Sequence, residues 1–466
     1  MFKQTAEKVN YINDQIQELL KEQNVDTSLL QIDSNLSETQ KRAFEAFKRG
    51  ESLLILGPGG VGKSLLIKTM ETYHKTTDPN PDIAMCATTG VAAYNISGMT
   101  IHSFMGMGDG SKDLPTILRR ISRNKAVLNR IKMVKILIID EISMMSAEIF
   151  EKVHCIFQHF RRNRNAFFGG IQVVLSGDLL QNEPVFKTET DTRLLIESDL
   201  FNQTFIKNRF VLTTNFRQQR DTAFLNLLNR IRENKYDNFD IQTLETKCRN
   251  FKTELDQKTK RGIVPVHLVS SNKRAQIINE SNLKRIAGQE YLYNAEITKN
   301  IKNAESDMME RELKFQFEQK GLINLKLKRG TRVMLIKNLD VAKGLVNGSV
   351  GTITEFSNEH FPIVSFDNGV KQKIEPIDWE LELNTSRVKM TQLPLILAYA
   401  LTIHKSQSLT LDHAILDLEE CFCNHLVYSA LSRLKTFDGM LLKSFDQKKI
   451  TVNQKILSWL AGSCRA

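Results

Sequence analysis

The chain has 466 residues, 41% of them hydrophobic and 25% charged, the balance of a soluble globular protein. That length suggests about two to four domains. Lys and Arg outnumber Asp and Glu by 64 to 53, and the net charge of +11 favours a polyanionic partner, with nucleic acid ahead of membrane. No apolar run is long enough to cross a bilayer, and residues 1–33 lack an apolar signal core, so neither a membrane anchor nor a secretory segment is expected. The six cysteines are scattered without a C-x-x-C pair, which argues against a zinc site and a disulfide framework. An intracellular setting, nucleus or cytoplasm, is expected.

Residues 1–33 carry Val9, Ile12, Ile16, Leu19 and Leu20 at helical spacing, which predicts a helical arm. Ser37 to Gln40 has the S-x-x-Q form of a capping box, and the Gln40 amide is equally suited to an adenine edge. Ser52 to Leu56 is an apolar run of strand length, and Leu65 to Thr72 reads as a helix. Between them, Gly57-Pro58-Gly59-Gly60-Val61-Gly62-Lys63-Ser64 matches the phosphate-binding loop G-x-x-x-x-G-K-S. Its glycines let backbone N–H groups wrap a phosphate, and the helix N-terminus adds its positive dipole end. Lys63 is placed to reach the β- and γ-phosphates of ATP, and the Ser64 hydroxyl to bind Mg²⁺.

Ile83 to Ala87 is a second strand, followed by Thr88-Thr89-Gly90-Val91-Ala92-Ala93 opening a helix. In Thr100-Ile101-His102-Ser103-Phe104, the hydroxyls suit backbone phosphates and Phe104 offers a face for a base. Arg119 to Lys135 holds seven basic residues and no acid, either a DNA-facing patch or a solvated helix face. Ile136 to Ile139 is a buried-strand run that delivers Asp140 and Glu141 to its carboxyl end. Asp140 suits a water-mediated magnesium contact, and Glu141 suits the base that activates the attacking water. A helix over Ser146 to Arg164 and a strand over Ile171 to Leu175 follow. Gln181, past the Ser176-Gly177-Asp178 turn, is a candidate γ-phosphate sensor. The strand Phe210 to Thr213 leads to Asn215-Phe216-Arg217-Gln218, where Arg217 is placed to reach a phosphate.

The pattern restarts with a strand at Val266 to Ser270 and a helix at Asn272 to Leu283. Leu325 to Ile374 has short β-rich runs separated by Gly344, Asn347-Gly348 and Asn368-Gly369, which indicates hairpins and a small barrel. Strands are then expected at Leu395 to Ala400, Thr402 to Thr410, Ala414 to Leu418 and Met440 to Lys443, with a helix around Tyr428 to Arg433. Strands alternating with helices predict an α/β fold with parallel sheets.

Taken in order, these segments and Thr402-Ile403-His404-Lys405-Ser406-Gln407 and Ala430-Leu431-Ser432-Arg433 resemble the motifs of the PIF-type (petite integration frequency) superfamily 1B DNA helicases, relatives of the RecD and Dda helicases. The resemblance covers roughly residues 36–445. Phe168-Gly169-Gly170-Ile171-Gln172 resembles the stretch that marks this family, and Gly344 to Gly348 resembles its second-lobe insertion. The Lys, Asn and Ile richness fits a compact form from an AT-rich genome, such as a virus.

The resemblance implies two RecA-like P-loop NTPase lobes with ATP and Mg²⁺ between them, a small wedge in lobe one and an SH3-like barrel in lobe two. The expected bounds are an arm at 1–35, lobe 1A at 36–205 with a wedge at about 105–130, lobe 2A at 206–324 and 390–466, and the barrel at 325–389. It implies 5′→3′ movement on single-stranded and forked DNA, by a monomer, in replication, repair or recombination. Gln40 would match the adenine-reading glutamine, Gln407 would lie beside the nucleotide, and Arg217 and Arg433 would close on the γ-phosphate. Thr89, Thr100, His102, Ser103, Phe104, His404 and Lys405 would lie along the DNA track. Two departures stand out. The family usually reads L-Q-L-P-P-V where this chain has Leu180-Gln181-Asn182-Glu183-Pro184-Val185, and Ser408 replaces the glycine after K-S-Q. An RNA-directed or other P-loop ATPase, and an uncoupled single-stranded DNA-binding protein, remain alternatives.

Overall fold

A computed structural model describes residues 36–462 apart from 79–81, 185–191 and scattered positions within 90–97, 303–320 and 338–348 and at 109, 384–385 and 408. The expected arm over residues 1–35 lies outside the described residues, as do Gly90, Val91, Gly344, Val346 to Gly348 and Ser408.

Strands β1 (Leu53–Leu56), β2 (Ile83–Ala87), β3 (Met99–Thr100), β4 (Ile136–Asp140), β5 (Gln172–Gly177) and β6 (Arg209–Val211) form one sheet in the order β3-β2-β4-β5-β1-β6. Every neighbouring pair is parallel. The central strands are continuous apolar runs because both faces are covered. Leu54, Cys86, Leu137, Ile139, Val173 and Leu175 face one core, shared with Phe150, Val153, Ile156 and Phe157 of helix Ala147–Arg161. Leu53, Ile55, Met85, Ile138 and Val174 face the other, against α1 (Glu38–Lys48) and α2 (Lys63–Thr77). Each fully buried Leu or Ile contributes about 1.5–3 kcal/mol. Parallel strands end at one edge, so the loops after β1, β2, β4, β5 and β6 gather there.

A second parallel sheet runs Ala400–Thr402, Val266–Val269, Ala414–Asp417, Met440–Ser444. Its core takes Leu268, Leu416 and Leu442 with Phe224, Leu227, Leu228 and Ile231 of helix Thr222–Arg232 and Leu426 to Leu431 of the helix before Arg433. The α/β class with two parallel sheets is therefore as expected.

Several boundaries differ from the sequence expectation. Leu395 to Ala400 is not one strand of the second sheet. Leu395–Leu397 instead pairs antiparallel with Arg332–Leu335, closing a five-stranded sheet with Val350–Phe356, Pro362–Phe366 and Lys371–Lys373. Glu296–Lys299, expected in lobe 2A, pairs with Ser386–Gln392 and thus joins the inserted β-rich region. Strand partners lie far apart in sequence, and local composition does not encode them. Thr402 to Thr410 is not a strand either: Thr402 ends one, and residues 403–407 form turns held by Ser406 N–H to the Thr402 carbonyl. The C-terminal helix Gln454–Gly462, assigned by sequence to lobe 2A, packs instead on the first core. Ile456 is buried there and the Trp459 Nε1 donates to Asn202 Oδ1 at 2.7 Å.

Residues 105–130 contain helix Leu114–Ser122 and the start of Lys125–Met133, fixed to the first core by Ile117, Ile121 and Val127. Of the seven basic residues nearby, Arg119, Arg120, Arg123, Lys125, Lys132 and Lys135 are exposed. Arg130 is structural: its guanidinium donates to the Ser103 and Phe104 carbonyls. Lys135 ion-pairs with Asp78 at 3.1 Å.

Candidate functional site

The strand-edge loops enclose a cavity of about 960 Å³. Gly59, Gly60, Val61, Gly62, Lys63 and Ser64 form one wall, Asp140, Glu141 and Gln181 the floor, and Arg217 and Arg433 the facing side. The phosphate loop works through its backbone. Gly60 and Gly62 sit at φ +88° and +79°, in the left-handed region that favours glycine. Gly62 also caps α2 with no side chain, so the first-turn N–H groups of a 15-residue helix face the cavity. A Cβ on Gly59 would lie 3.2 Å from both Arg217 Nη1 and Arg433 Nη2. Both arginines therefore reach the loop from the far side.

The Lys63 Nζ donates to the Gly57 and Pro58 carbonyls at 2.7 and 2.9 Å. Burial disfavours its charge, while Asp178, Glu141 and Asp140 support it. Burial also disfavours the charge of both guanidiniums, with Arg433 adding repulsion at Arg217. Two desolvated cations beside uncapped N–H groups make a strong anion site. Burial, with Glu141 next to it, pushes the Asp140 carboxyl up to about 6. Asp140 Oδ1 is buried without a hydrogen-bond partner, and a cation would satisfy such an oxygen. With Ser64 lining the same cavity, this donor set fits Mg²⁺, which takes few protein oxygens and its remaining ligands from phosphate and water.

Gln40 is fully buried and completes the expected capping box, while its amide nitrogen is turned to the phosphate loop. Its Oε1 accepts from the Ser37 N–H at 2.7 Å, completing the capping box, while its Nε2 donates to the Gly62 and Val61 carbonyls. It supports the loop from behind instead of lining the cavity. Gln407 is a correction: it does not line the cavity. Its Nε2 donates to Glu141 Oε2 at 2.9 Å, behind the acid pair. Gln181 lines the cavity and donates to Asp178 Oδ2 at 3.3 Å.

Among the residues expected on the DNA track, Thr100 caps helix Ile101–Met105 and Ser103 is exposed. Thr89, His102, His404 and Lys405 are half-buried, and the Thr89 Oγ1 accepts from the Ala92 N–H. Phe104 is a second correction. It is 5% exposed in the first core with Arg130 against its ring, so no base can stack on it. An exposed aromatic beside this set is Phe422, 68% exposed, its ring tilted 30° from that of His404 at 6.5 Å.

Sequence reasoning missed two features. Phe216 lines the cavity beside Gly62, and its N–H donates to the Gly60 carbonyl at 2.8 Å. Its place between Asn215 and Arg217 was the available signal. Arg232, at the end of helix Thr222–Arg232, grips the fully buried Asp178 at 2.6 Å, with the Tyr428 hydroxyl also donating to that carboxylate. Nothing local marks this pair.

Two parallel sheets sharing one phosphate-loop cavity define the two-lobed P-loop class, with Arg433 supplied by the second lobe and Arg217 by the loop after β6, a strand expected in lobe 2A that pairs with β1 in the first sheet. The family described as PIF1-like helicase matches residues 35–241, and the Pif1 DNA helicase 2B domain matches residues 313–356. The chain superposes on the crystal structure of Pif1 helicase from Candida albicans with a TM-score of 0.76 and 30% identity, covering 92% of this chain and 99% of that one. A structure of Bacteroides Pif1 helicase in complex with ADP-AlF3 and ssDNA matches with a TM-score of 0.64 at 25% identity, over 93% of this chain and 98% of that one. The chain belongs to the PIF1-like helicase family. It is 33% identical to the ATP-dependent DNA helicase PIF1 of Danio rerio over 92% of its own length and spans 64% of that relative's length. Among the described residues, no helix is long and apolar enough to cross a membrane.

Proposed function

We propose that this chain is an ATP-dependent DNA helicase that uses Mg²⁺, moves 5′→3′ on single-stranded DNA and opens forked duplex in replication, repair or recombination. It acts as a monomer inside the cell, in the nucleus or cytoplasm. The observation that carries this reading is the convergence of Arg217 and Arg433 on Gly59 of the phosphate loop. Charge developing on a transferred phosphoryl group is stabilised by such arginines by roughly 10³ to 10⁵ in rate. Arg433 follows a helix of the second core, so hydrolysis depends on how the two lobes meet.

In this reading the phosphate loop holds the triphosphate and Lys63 leaves the Gly57 and Pro58 carbonyls for the β- and γ-phosphates. Phe216 borders the base, and Gln40 braces the loop from behind. Ser64 and Asp140 would hold a divalent ion, which would supply charge neutralisation at the phosphates. Glu141 takes the proton of the attacking water, and Gln181 reports the γ-phosphate to Asp178. Alternating closure then becomes stepping if both lobes grip the strand, through Thr89, Thr100, His102 and Ser103 on one side and His404 and Lys405 on the other. Each base-pair step opened costs about 1.4 kcal/mol of stacking on average.

The test is strand displacement on forks carrying either a 5′ or a 3′ tail, with Lys63→Ala as the control. Unwinding of the 5′-tailed fork by the wild type, and no ATP turnover by Lys63→Ala, are expected. Preference for the 3′ tail would reverse the polarity, and turnover by Lys63→Ala would refute the site.

A further inference from the structure

The segment Asn182-Glu183 departs from the apolar pair that the family resemblance leads one to expect, and both residues bond across the cleft. Asn182 follows the tip of β5 in the first lobe. Its Nδ2 donates to Gln407 Oε1 at 3.0 Å, and the Gln407 Nε2 donates in turn to Glu141 Oε2 at 2.9 Å. Asn182, Gln407 and Glu141 are all buried. Next to it, Glu183 Oε1 accepts from Asn424 Nδ2 at 3.1 Å, just before the helix that leads to Arg433. Two consecutive first-lobe residues thus hold two separate second-lobe segments.

We infer that Asn182 is a positioning residue: it orients Glu141 through Gln407, and it makes that orientation conditional on the docking of the 403–407 turn. This rests on the helicase reading above and deepens it. The two ends of a glutamine amide have nearly the same shape, so its direction is fixed by what stands at each end. Here a donor, Asn182 Nδ2, meets the oxygen end and a carboxylate, Glu141, meets the nitrogen end. The relay therefore aims a fixed N–H at one oxygen of Glu141, which lines the cavity. The same turn carries His404 and Lys405, so a strand held there sets the position of the Gln407 amide.

A merely structural role fits poorly. Asn182 Oδ1 is buried and has no hydrogen-bond partner, a desolvation cost that leucine in its place would not carry. Asn182→Leu removes that cost but leaves the buried Gln407 Oε1 without its donor, so the two offset and the variant is expected to melt close to wild type while turning over more slowly. Asn182→Asp keeps the shape but sets a carboxylate against Gln407 Oε1. Turning the amide round would only set its oxygen against Glu141, so this variant has no good arrangement.

The experiment measures ATP turnover with and without oligo(dT), together with melting temperature, for wild type, Asn182→Leu, Asn182→Asp, Gln407→Leu and Asn182→Leu/Gln407→Leu. Asn182→Leu should lose roughly tenfold in DNA-stimulated kcat with KM for ATP unchanged, as expected for one misdirected hydrogen bond to a charged group. Asn182→Asp should lose more. In the Gln407→Leu background, Asn182→Leu should change nothing further, because coupled residues do not act additively. The assignment is overturned if Asn182→Leu keeps full kcat, if its activity falls in step with its melting temperature, or if the two substitutions multiply. A wild type without DNA-stimulated turnover would instead refute the helicase reading itself.

Discussion

Replacing Arg232 with methionine tests whether the two lobes are latched by charge. Asp178 is completely buried at the end of β5, and the side chain of Arg232 is 14% exposed. The pair meets at 2.6 Å, and each partner favours the charged state of the other. Burial works to raise the Asp178 carboxyl, but Arg232 and Lys63 outweigh it and hold it below its usual range. Burial works to lower Arg232, and Asp178 outweighs that too. Removing one partner of such a pair costs about 3–5 kcal/mol, since the other is left as a buried, uncompensated charge. The lobes have a way to relieve that cost: opening the cleft returns Asp178 to water. The loss therefore falls on the closed arrangement instead of on the folding of either lobe. At about 3 kcal/mol the closed-to-open ratio drops by roughly a hundredfold. Small-angle scattering with a non-hydrolysable ATP analogue should show a larger radius for Arg232→Met than for wild type, with weaker analogue binding in titration. The double variant Arg232→Met/Asp178→Asn removes both charges and should close better than the single variant. A double variant as open as Arg232→Met, or a single variant as compact as wild type, would refute the latch.

Phe104→Ala should destabilise the folded protein by about 3–5 kcal/mol by leaving a cavity in the first core, while the folded fraction binds single-stranded DNA unchanged; lost DNA affinity at constant melting temperature would return Phe104 to the DNA track. Phe422→Ala should do the reverse, weakening binding by about 1–3 kcal/mol as expected for one lost base-stacking platform, with no change in melting; unchanged affinity would exclude it. His267 and His425 are both pulled down to about 4, chiefly by burial, from an ordinary 6.5. The unfolded chain then binds more protons between those values, so stability is full above about pH 6.5 and falls as pH drops toward 4, by up to roughly 1.4 kcal/mol per unit for each histidine. Denaturant midpoints at pH 7 and pH 5 measure this, and His267→Gln should remove part of the slope; equal midpoints would show that neither histidine is held neutral.

Which features could be read from the sequence follows from the range over which their causes act. β1, β2, β4 and β5 were legible because a strand covered on both faces must be apolar throughout. The phosphate loop was legible because its glycines, lysine and hydroxyl answer one ligand within eight residues. Phe104 was not, since helix Ile101–Met105 is too short for any periodicity to show which side faces the core. The β-branched and apolar content of Thr402 to Thr410 imitates a strand, yet Ser406 and Gln407 turn the chain to bring one amide to Glu141. Gln407 looked like a nucleotide contact and instead donates to Glu141. Arg232 and Asp178 stand 54 positions apart and Asn182 and Gln407 225 apart, so only the folded chain brings them together. The separation has a physical meaning. Groups that touch the nucleotide must cluster within loops at one sheet edge, whereas groups that join the lobes must come from different lobes. The first kind leaves a motif, and the second leaves an ordinary arginine, asparagine or glutamate whose role exists only when the cleft closes. Asn182 and Glu183 are the exception: a departure from an expected apolar pair marked a place where this chain joins its lobes by polar bonds.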